Sequence, residues 1–216
     1  MGTLYVCATP IGNLEDITLR ALRILKEVDL IACEDTRRTG ILLAHYNINK
    51  PLISFHQHSK LQKIDYLTSE LKSGKNIALV TDAGTPGISD PGGVLIADAI
   101  RSNIKVEPIP GPSSIPAILS ICGIPTEKFL FLGYLPKKKG RQTILINFAK
   151  FPFPIVIFES AERIIRTLQD VQKFWDDREV IVGRELTKKF EEIIRGKISA
   201  ILNKIRPQGE FVIIIY

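Results

Sequence analysis

The chain has 216 residues, of which 45% are hydrophobic and 24% are charged. This length and composition suffice for one large α/β domain or two small ones, and they exclude an intrinsically disordered chain. No segment approaches the ~20 consecutive apolar residues that a transmembrane helix needs, and the first ten residues, MGTLYVCATP, lack the basic and apolar regions of a secretory signal. We therefore expect a cytoplasmic protein.

The net charge of +6 is distributed unevenly along the chain. Residues 1–124 contain 12 basic and 12 acidic side chains, whereas residues 125–216 contain 17 and 11. Two clusters dominate the basic part: Lys137, Lys138, Lys139 and Arg141, and then Arg184, Lys188 and Lys189. Such clusters are found in nucleic-acid-binding proteins, although most are only solvated surface charges, and no interleaved stacking aromatics are evident. The charge therefore favours an anionic partner without identifying it.

The three cysteines, Cys7, Cys33 and Cys122, are far apart in the sequence and lie in apolar surroundings. They form no CxxC pair, and too few histidines accompany them for a zinc site. We expect buried free thiols and no metal.

The first half of the chain alternates between apolar runs and segments with helical spacing. The predicted strands are Thr3–Ala8, Leu30–Cys33, Leu52–Phe55, Asn76–Val80 and Lys105–Pro108. Between Thr18 and Val28, the spacing predicts a helix that buries Leu19, Leu22 and Leu25, and a further helix is predicted over Ser113–Ile121. This alternation is typical of a mostly parallel sheet with helices on both faces.

A turn-rich segment, Gly123–Ile124–Pro125–Thr126, marks the predicted domain boundary, which gives domains of residues 1–122 and 123–216. Beyond it the predicted strands are Phe129–Leu132, Pro154–Phe158, Glu179–Gly183 and Glu210–Tyr216. Predicted helices cover about Gly140–Lys150 and Ala161–Phe174. We expect a mixed sheet in which the apolar terminal strand lies in the middle or at a covered edge.

The predicted ligand-binding loops follow the strands of the first domain, because ligands bind at the carboxyl ends of parallel strands. The loops that leave four of these strands are Ala8–Asn13, Glu34–Arg37, Asp82–Gly93 and Pro108–Ser114. Glycine and proline in three of them indicate rigid turns that bring the backbone close to a ligand. The Asp82–Gly93 loop matches neither phosphate-binding glycine motif, and its Asp82 and Asp90 would repel phosphates. A zwitterionic or neutral ligand suits it better than a nucleoside triphosphate.

Eight segments, in this order, resemble one known family. They are ATPIGNLEDIT, EDTR, SFHQH, DAGTPGISDPGG, PIPGPSS, FLGYLPKKKG, FESAER and RELTKKFEEIIRG. The chain is similar from Leu4 to about Tyr216 to the ribosomal RNA small subunit methyltransferase I family of the tetrapyrrole methylase superfamily. The resemblance implies two α/β domains with a cofactor cleft between them, a homodimer, S-adenosylmethionine as methyl donor, and a cytidine ribose 2′-hydroxyl of 16S rRNA as acceptor.

The resemblance also implies which residues hold the cofactor. They are Pro10, Ile11, Gly12, Asp82, Ala83, Gly84, Thr85, Ile88, Ser113, Ser114 and Ile115 from the first half, and Phe158, Arg184, Glu185 and Glu210 from the second. The chain departs from its relatives in three respects. Thr85 stands where the superfamily usually has aspartate, Gly93 where the family often has an aromatic residue, and relatives commonly extend past the final strand.

Methylation of a hydroxyl requires a base, and five residues are candidates: Glu34, Asp35, Glu159, Glu185 and Lys188. Lys188 qualifies only if burial and nearby cations lower its pKa. The expected RNA-binding residues are Arg37, His56, Lys137, Lys138, Lys139, Arg141, Lys188 and Lys189, with His58 beside them. Two alternatives stay open: a methyltransferase of the same fold that acts on a tetrapyrrole or a protein side chain, and a ribosome-binding factor without activity. The segments Ile41–Ile53 and Ile115–Ile124 are the expected dimer contacts.

Overall fold

The computed structural model describes residues 1–56, 61–90 and 92–216. The chain divides into two compact units, Met1–Ser113 and Ser114–Tyr216. The strands are β1 Thr3–Cys7, β2 Leu30–Cys33, β3 Leu52–Ser54, β4 Ile77–Leu79, β5 Lys105–Ile109, β6 Leu130–Tyr134, β7 Ile155–Ser160, β8 Glu179–Arg184, β9 Glu192–Lys197 and β10 Glu210–Ile215. The helices are α1 Leu19–Glu27, α2 Thr36–His45, α3 Leu61–Lys72, α4 Gly93–Arg101, α5 Ser114–Ser120, α6 Arg141–Phe148, α7 Ile164–Trp175 and α8 Ile198–Ile201. In the described ranges, no helix is both long and apolar enough to cross a membrane.

The first unit contains a five-stranded parallel sheet in the order β3-β2-β4-β1-β5. Successive side chains of a strand point to opposite faces, so Ile31 and Cys33 of β2 join one buried cluster while Leu30 and Ala32 join another. Both faces of the sheet are therefore covered, which explains why its strands appear in the sequence as short continuous apolar runs. The parallel, doubly covered sheet predicted from the sequence is confirmed.

Helix α1 buries only part of the predicted face. Thr18 caps its N-terminus by accepting a hydrogen bond from the N–H of Ala21 at 3.1 Å, which makes Leu19 the first helical residue. Leu25 is buried and Leu22 half-buried, as predicted, but Leu19 is 85% exposed, and Ala21 and Ile24 complete the buried stripe. The prediction was wrong for Leu19 because it followed the leucines and overlooked a stripe with i, i+3, i+4 spacing that includes a small alanine.

The second unit contains a mixed sheet in the order β6-β7-β10-β8-β9, with β6 and β7 parallel and the other pairs antiparallel. The apolar strand β10 lies in the middle, as expected. Strand β9 was not predicted. It lies at the edge of the sheet and carries Glu192, Arg195 and Lys197, and charges of this kind reduce the apolar signal of edge strands.

Helix α5 belongs to the second unit, although the sequence placed the boundary after Cys122. The helix packs on β10, and a Cβ added to Gly183 of β8 would lie 2.8 Å from the side chain of Ile118. Because Gly183 leaves room for Ile118, α5 covers the second sheet rather than the first.

Candidate functional site

Three loops of the first unit meet at the carboxyl edge of its sheet. Thr9, after β1, and Gly84, after β4, form an antiparallel bridge in which each N–H donates to the other residue's carbonyl, at 2.9 and 3.0 Å. The hydroxyl of Thr85 lies 3.4 Å from the carbonyl oxygen of Pro112, which belongs to the loop after β5. A Cβ on Gly111 would approach that of Ala8 to 3.0 Å, so these two loops also pack closely. The structure thus brings together the three glycine- and proline-rich loops singled out in the sequence.

Most of the predicted cofactor residues of the first unit surround this junction. Ile11, Gly12, Ala83, Thr85, Ile88 and Ser113 are exposed or half-buried, while Pro10 and Gly84 are buried beneath them. Gly84 and Gly87 have φ angles of +84° and +87°, which L-residues rarely adopt. A Cβ on Gly84 would meet Ile11 at 3.5 Å, an ordinary contact, so backbone strain rather than collision explains the glycine there.

Asp82 connects this loop to the N-terminus of α2. Its Oδ1 accepts a hydrogen bond from the N–H of Asp35 at 3.0 Å, and its Oδ2 lies 3.4 Å from Nη1 of Arg38. Asp35 caps α2, and hydrogen bonds from Arg37 hold the pKa of its carboxyl well below the usual range. Asp35 is thus an ionised helix cap already paired with Arg37, which makes it a poor candidate for the base.

An acidic group that the sequence did not suggest as a base lies beside Glu34. Burial raises the pKa of Asp90 to about 6; a hydrogen bond with Thr81 lowers that pKa, and the charges of Glu34 and Asp82 raise it further. The Thr81 hydroxyl also lies 3.2 Å from Oε2 of Glu34. A carboxyl that titrates near neutrality suits proton transfer. Nothing in the local sequence reveals this property, because it depends on burial.

In the second unit, Glu185 and Glu210 meet at one turn with Lys188 between them. Nζ of Lys188 lies 2.8 Å from Glu185 and 2.9 Å from Glu210, and the N–H of Glu210 donates to the Glu185 carboxylate. Gly209 has a φ of +84°, and a Cβ there would lie 2.5 Å from the Glu185 carboxyl. The glycine therefore lets the two strands close around this carboxylate.

The same turn is strained. Glu185 and Thr187 have positive φ angles of 50° and 66°, and within the described part of the chain the buried hydroxyl of Thr187 has no hydrogen-bond partner. Left-handed non-glycine residues and orphaned polar atoms cost free energy and cluster at functional sites. The RELTKK motif thus coincides with an energetically costly turn, which supports a role in ligand binding.

The structure corrects the prediction for Lys188. Burial favours its neutral amine, but the two carboxylates outweigh burial and raise the pKa of Lys188 above its usual value. Burial also favours the neutral form of Glu185 and so acts to raise its pKa. The Lys188 ammonium and the Glu210 N–H outweigh burial, and the pKa of Glu185 lies below its usual value. Lys188 is a fixed cation rather than a base, because the groups beside it are anions and not the cations that the prediction required.

Two further predicted site residues are structural. Glu159 is fully buried, and its carboxylate accepts hydrogen bonds from Thr167 at 2.5 Å and from the N–H of Ser160, with Arg163 3.2 Å away. Arg141 is buried as well and donates to Asp170 at 2.8 Å and to Thr167 at 3.0 Å. Glu159 is thus not an accessible base, and Arg141 is not available to RNA.

The remaining cofactor residues predicted in the second unit are buried or half-buried. Arg184 is buried and donates to Glu192 at 2.9 Å. Phe158 packs against Phe131 and Tyr134, with ring centroids 4.9 and 5.6 Å apart. Ser114 and Ile115 begin α5.

The predicted RNA-binding residues fall into two groups. Lys137, Lys138, Lys139, Lys189 and His56 are exposed, whereas Arg37, also exposed, is paired with Asp35 through two hydrogen bonds. Phe190 is 65% exposed and lies beneath Nζ of Lys189 at 5.7 Å, so an aromatic side chain does accompany the basic residues. His58 lies outside the described residues.

Comparison with known proteins identifies the class to which this fold and site belong. Residues 3–202 match the family described as Tetrapyrrole (Corrin/Porphyrin) Methylases. The chain therefore belongs to the tetrapyrrole methylase family.

Within that family, relatives at 43–46% identity are named ribosomal RNA small subunit methyltransferase I. The protein from Thermotoga maritima is 46% identical over 100% of this chain and 98% of its own length. Those from Synechocystis and Escherichia coli are 46% and 43% identical, and the match covers 100% and 99% of this chain and 79% and 77% of theirs. The chain thus belongs with the ribosomal RNA small subunit methyltransferase I proteins.

Solved structures support the fold. Diphthine synthase superimposes with a TM-score of 0.80 over 100% of this chain and 89% of that protein, at 13% identity. Uroporphyrin-III C-methyl transferase from Thermus thermophilus, complexed with S-adenyl homocysteine, gives a TM-score of 0.69 over 99% and 97% at 17% identity.

Proposed function

We propose that the protein transfers a methyl group from S-adenosylmethionine to the 2′-hydroxyl of a cytidine in the decoding region of 16S rRNA. The observation that carries the proposal is the 46% identity, along the whole chain, to a relative with small-subunit ribosomal RNA in its name. The fold alone does not select an acceptor, since structural neighbours are named for uroporphyrin and diphthine.

The loops of the first unit have a chemistry that suits the donor. S-adenosylmethionine carries a sulfonium and an ammonium, and the half-buried carboxylate of Asp82 offers a negative charge at the start of the loop. Backbone groups around Gly84 and Gly87 provide polar contacts without side chains, as the positive φ angles permit. The residues proposed to hold the donor are Pro10, Ile11, Gly12, Asp82, Ala83, Gly84, Thr85, Ile88 and Ser113, with Ser114, Ile115, Phe158, Arg184, Glu185 and Glu210 from the second unit.

Methyl transfer to a hydroxyl places two demands on the protein. When bound, the cofactor supplies an electrophilic methyl carbon: the ribose oxygen bonds to it, and the carbon–sulfur bond breaks with its electron pair going to sulfur. The protein must hold the reacting atoms in line and accept the hydroxyl proton. Of the candidate carboxylates, Glu34 and Asp90 are the ones that fit, since Asp35 and Glu159 are committed to structural pairs and Glu185 is paired with Lys188.

RNA binding is attributed to the exposed cations of the chain and one aromatic ring. Lys137, Lys138 and Lys139 form one basic surface, and Lys189 with Phe190 forms a second. Cations neutralise phosphates, while an exposed ring offers a face on which an unpaired base stacks. Arg37 and His56 remain proposed contacts, whereas Lys188, which was also expected to bind RNA, is held by Glu185 and Glu210.

A salt titration of RNA binding tests the first basic surface. Removing one cation that neutralises a phosphate lowers the logarithmic salt slope by roughly 0.7 to 0.9. Replacing Lys137, Lys138 and Lys139 by Ala should therefore flatten the slope by up to about 2.7 units while donor affinity, measured by calorimetry, stays the same. An unchanged slope would show that the three lysines are solvated surface charges that do not neutralise RNA phosphates. Absence of donor binding at micromolar concentration in the parent protein would instead favour a ribosome-binding factor without activity.

We also infer a homodimer that works where ribosomes are assembled, in the cytoplasm. Self-association is supported by the exposure of Ile121, which lies in one of the two segments expected at the interface and is 48% exposed. Sedimentation velocity at micromolar concentration should give about twice the 24.2 kDa of one chain. A single species of one chain mass would contradict this inference.

A further inference from the structure

A pocket of about 170 Å³ lies at the carboxyl edge of the first sheet, between the loop after β1 and helix α2. It is lined by Thr9, Pro10, Leu14, Arg38, Thr39, Ile41, Leu42, Thr81 and Asp82. Two of these, Pro10 and Asp82, are among the proposed cofactor residues. Arg38 and Thr39 have no role in the function proposed above, and Ile41 enters it only as the first residue of a segment expected at the dimer interface.

Arg38 is the cation of this pocket, and its pairing is loose. Its side chain is 65% exposed, and Nη1 lies 3.4 Å from Oδ2 of Asp82. An exposed ion pair at that distance contributes little to stability, and a guanidinium has five donors to offer. Arg37 differs, because its Nε and Nη2 donate hydrogen bonds to the Asp35 carboxylate at 3.0 and 2.6 Å. Of these two neighbouring arginines, Arg38 is the one whose position and pairing suit an anionic ligand.

The other walls of the pocket are mixed. Pro10, Leu14, Ile41 and Leu42 form its apolar face, and Ile41 is 67% exposed although it is a large aliphatic side chain. The polar residues of the lining are Thr9, Thr39, Thr81 and Asp82. The volume lies below the roughly 300–1,000 Å³ of pockets that enclose drug-sized ligands. A small unit with one apolar face and one anionic end, such as a sugar phosphate, fits this description better than a whole S-adenosylmethionine.

We propose that this pocket binds a ribose–phosphate unit of the acceptor strand, with Arg38 on the phosphodiester and the apolar walls against the sugar. The proposal rests on the proposed function and assigns the acceptor side of the same site. Attack in line requires the acceptor oxygen within about 3–3.5 Å of the methyl carbon, so the acceptor must lie beside the cofactor loop, as this pocket does. Asp82, on the loop after β4, attracts the cationic donor and repels a phosphate, so Arg38, on α2, must supply the attraction that holds the phosphodiester in this pocket.

The test compares Arg38→Ala and Arg38→Lys with Arg101→Ala. Arg101 is a matched control, because it is also exposed on a helix of the first unit and paired with one aspartate, Asp98. The probe is a fluorescein-labelled RNA with the 16S decoding-region sequence, titrated at several salt concentrations. Arg38→Ala should lower the salt slope by roughly 0.7 to 0.9 and weaken binding about tenfold. Arg38→Lys should keep the slope, and Arg101→Ala should match the parent.

Donor affinity, measured by calorimetry without RNA, distinguishes the possible failures. If Arg38→Ala weakens S-adenosylmethionine binding and leaves the RNA slope intact, the pocket belongs to the donor and the proposal is wrong. If neither changes in a variant whose thermal midpoint matches the parent, Arg38 binds neither ligand and the proposal is also wrong. If the parent protein binds neither this RNA nor 30S subunits that lack the modification, the proposed function fails instead. Should Arg38→Ala not fold, Arg38→Gln, which keeps hydrogen-bond donors without the charge, gives the same comparison.

Discussion

Replacing Arg141 by Ala separates its structural role from the RNA contact that its position in a basic cluster suggests. The guanidinium donates to Asp170 at 2.8 Å and to the Thr167 hydroxyl at 3.0 Å, and Thr167 in turn donates to the fully buried Glu159. Arg141→Ala therefore removes the cation from a buried network and leaves its anions in place. Breaking such a pair by removing one partner costs about 3–5 kcal/mol. Asp170 is 25% exposed and is partly solvated without Arg141, so we expect the lower end, about 3 kcal/mol.

The assay is urea unfolding followed by tryptophan fluorescence. The chain has one tryptophan, Trp175, which is buried in the second unit and donates a hydrogen bond to Leu145, so its emission reports unfolding of the unit that contains Arg141. Lys139→Ala is the matched control, because Lys139 belongs to the same sequence cluster but is exposed; its free energy of unfolding should change by less than about 0.5 kcal/mol. Equal stability of the two variants, together with a reduced RNA salt slope for Arg141→Ala alone, would refute the reasoning.

Two other predictions concern the first unit. Gly84→Val should weaken S-adenosylmethionine binding about tenfold, because a side chain at this φ costs roughly 1–3 kcal/mol. Gly74→Val, at a φ of +104° with open space around it, should leave that affinity unchanged. A larger loss of affinity in Gly74→Val than in Gly84→Val would show that the donor binds elsewhere. Asp90→Asn should stabilise the fold increasingly as pH rises from about 4 to 7. The folded-state pKa of Asp90 is about 6 against an ordinary 3.8, so the cost of ionising Asp90 in the folded protein grows as pH rises between these two values and is complete above them. A difference in the urea midpoint between Asp90→Asn and the parent that does not depend on pH would contradict the raised pKa.

The strands of the first sheet were predictable because each of them can be identified from its own residues. Strands covered on both faces need apolar residues at nearly every position, so each run is visible without knowledge of its neighbours. Strand β9 was not visible, since its Glu192, Arg195 and Lys197 are tolerated only at the edge of a finished sheet. The exposure of Leu19 in α1 was missed for a related reason: the sequence shows which residues are apolar, but Thr18 decides where the helical turn begins.

The candidate site was predictable where backbone conformation defines it. Glycines and prolines mark the loops that meet at Thr9 and Gly84, because only those residues tolerate the turns required. Side-chain roles were less accessible. Arg141 is buried and Lys188 is held by two carboxylates, and these properties depend on partners as distant in the chain as Asp170 and Glu210. A charge count cannot distinguish a cation that is available to RNA from one that the fold already uses.

Mass-spectrometric mapping of the methylated product tests the central claim most directly. The purified protein is incubated with isotopically labelled S-adenosylmethionine and 30S subunits that lack the modification, and 16S rRNA fragments are then sequenced by mass. We expect one labelled methyl group per RNA, on the ribose oxygen of a cytidine in the decoding region, and none with the parent protein heated to unfold it. Label on a base, on ribosomal protein or on no component of the subunit would contradict the account.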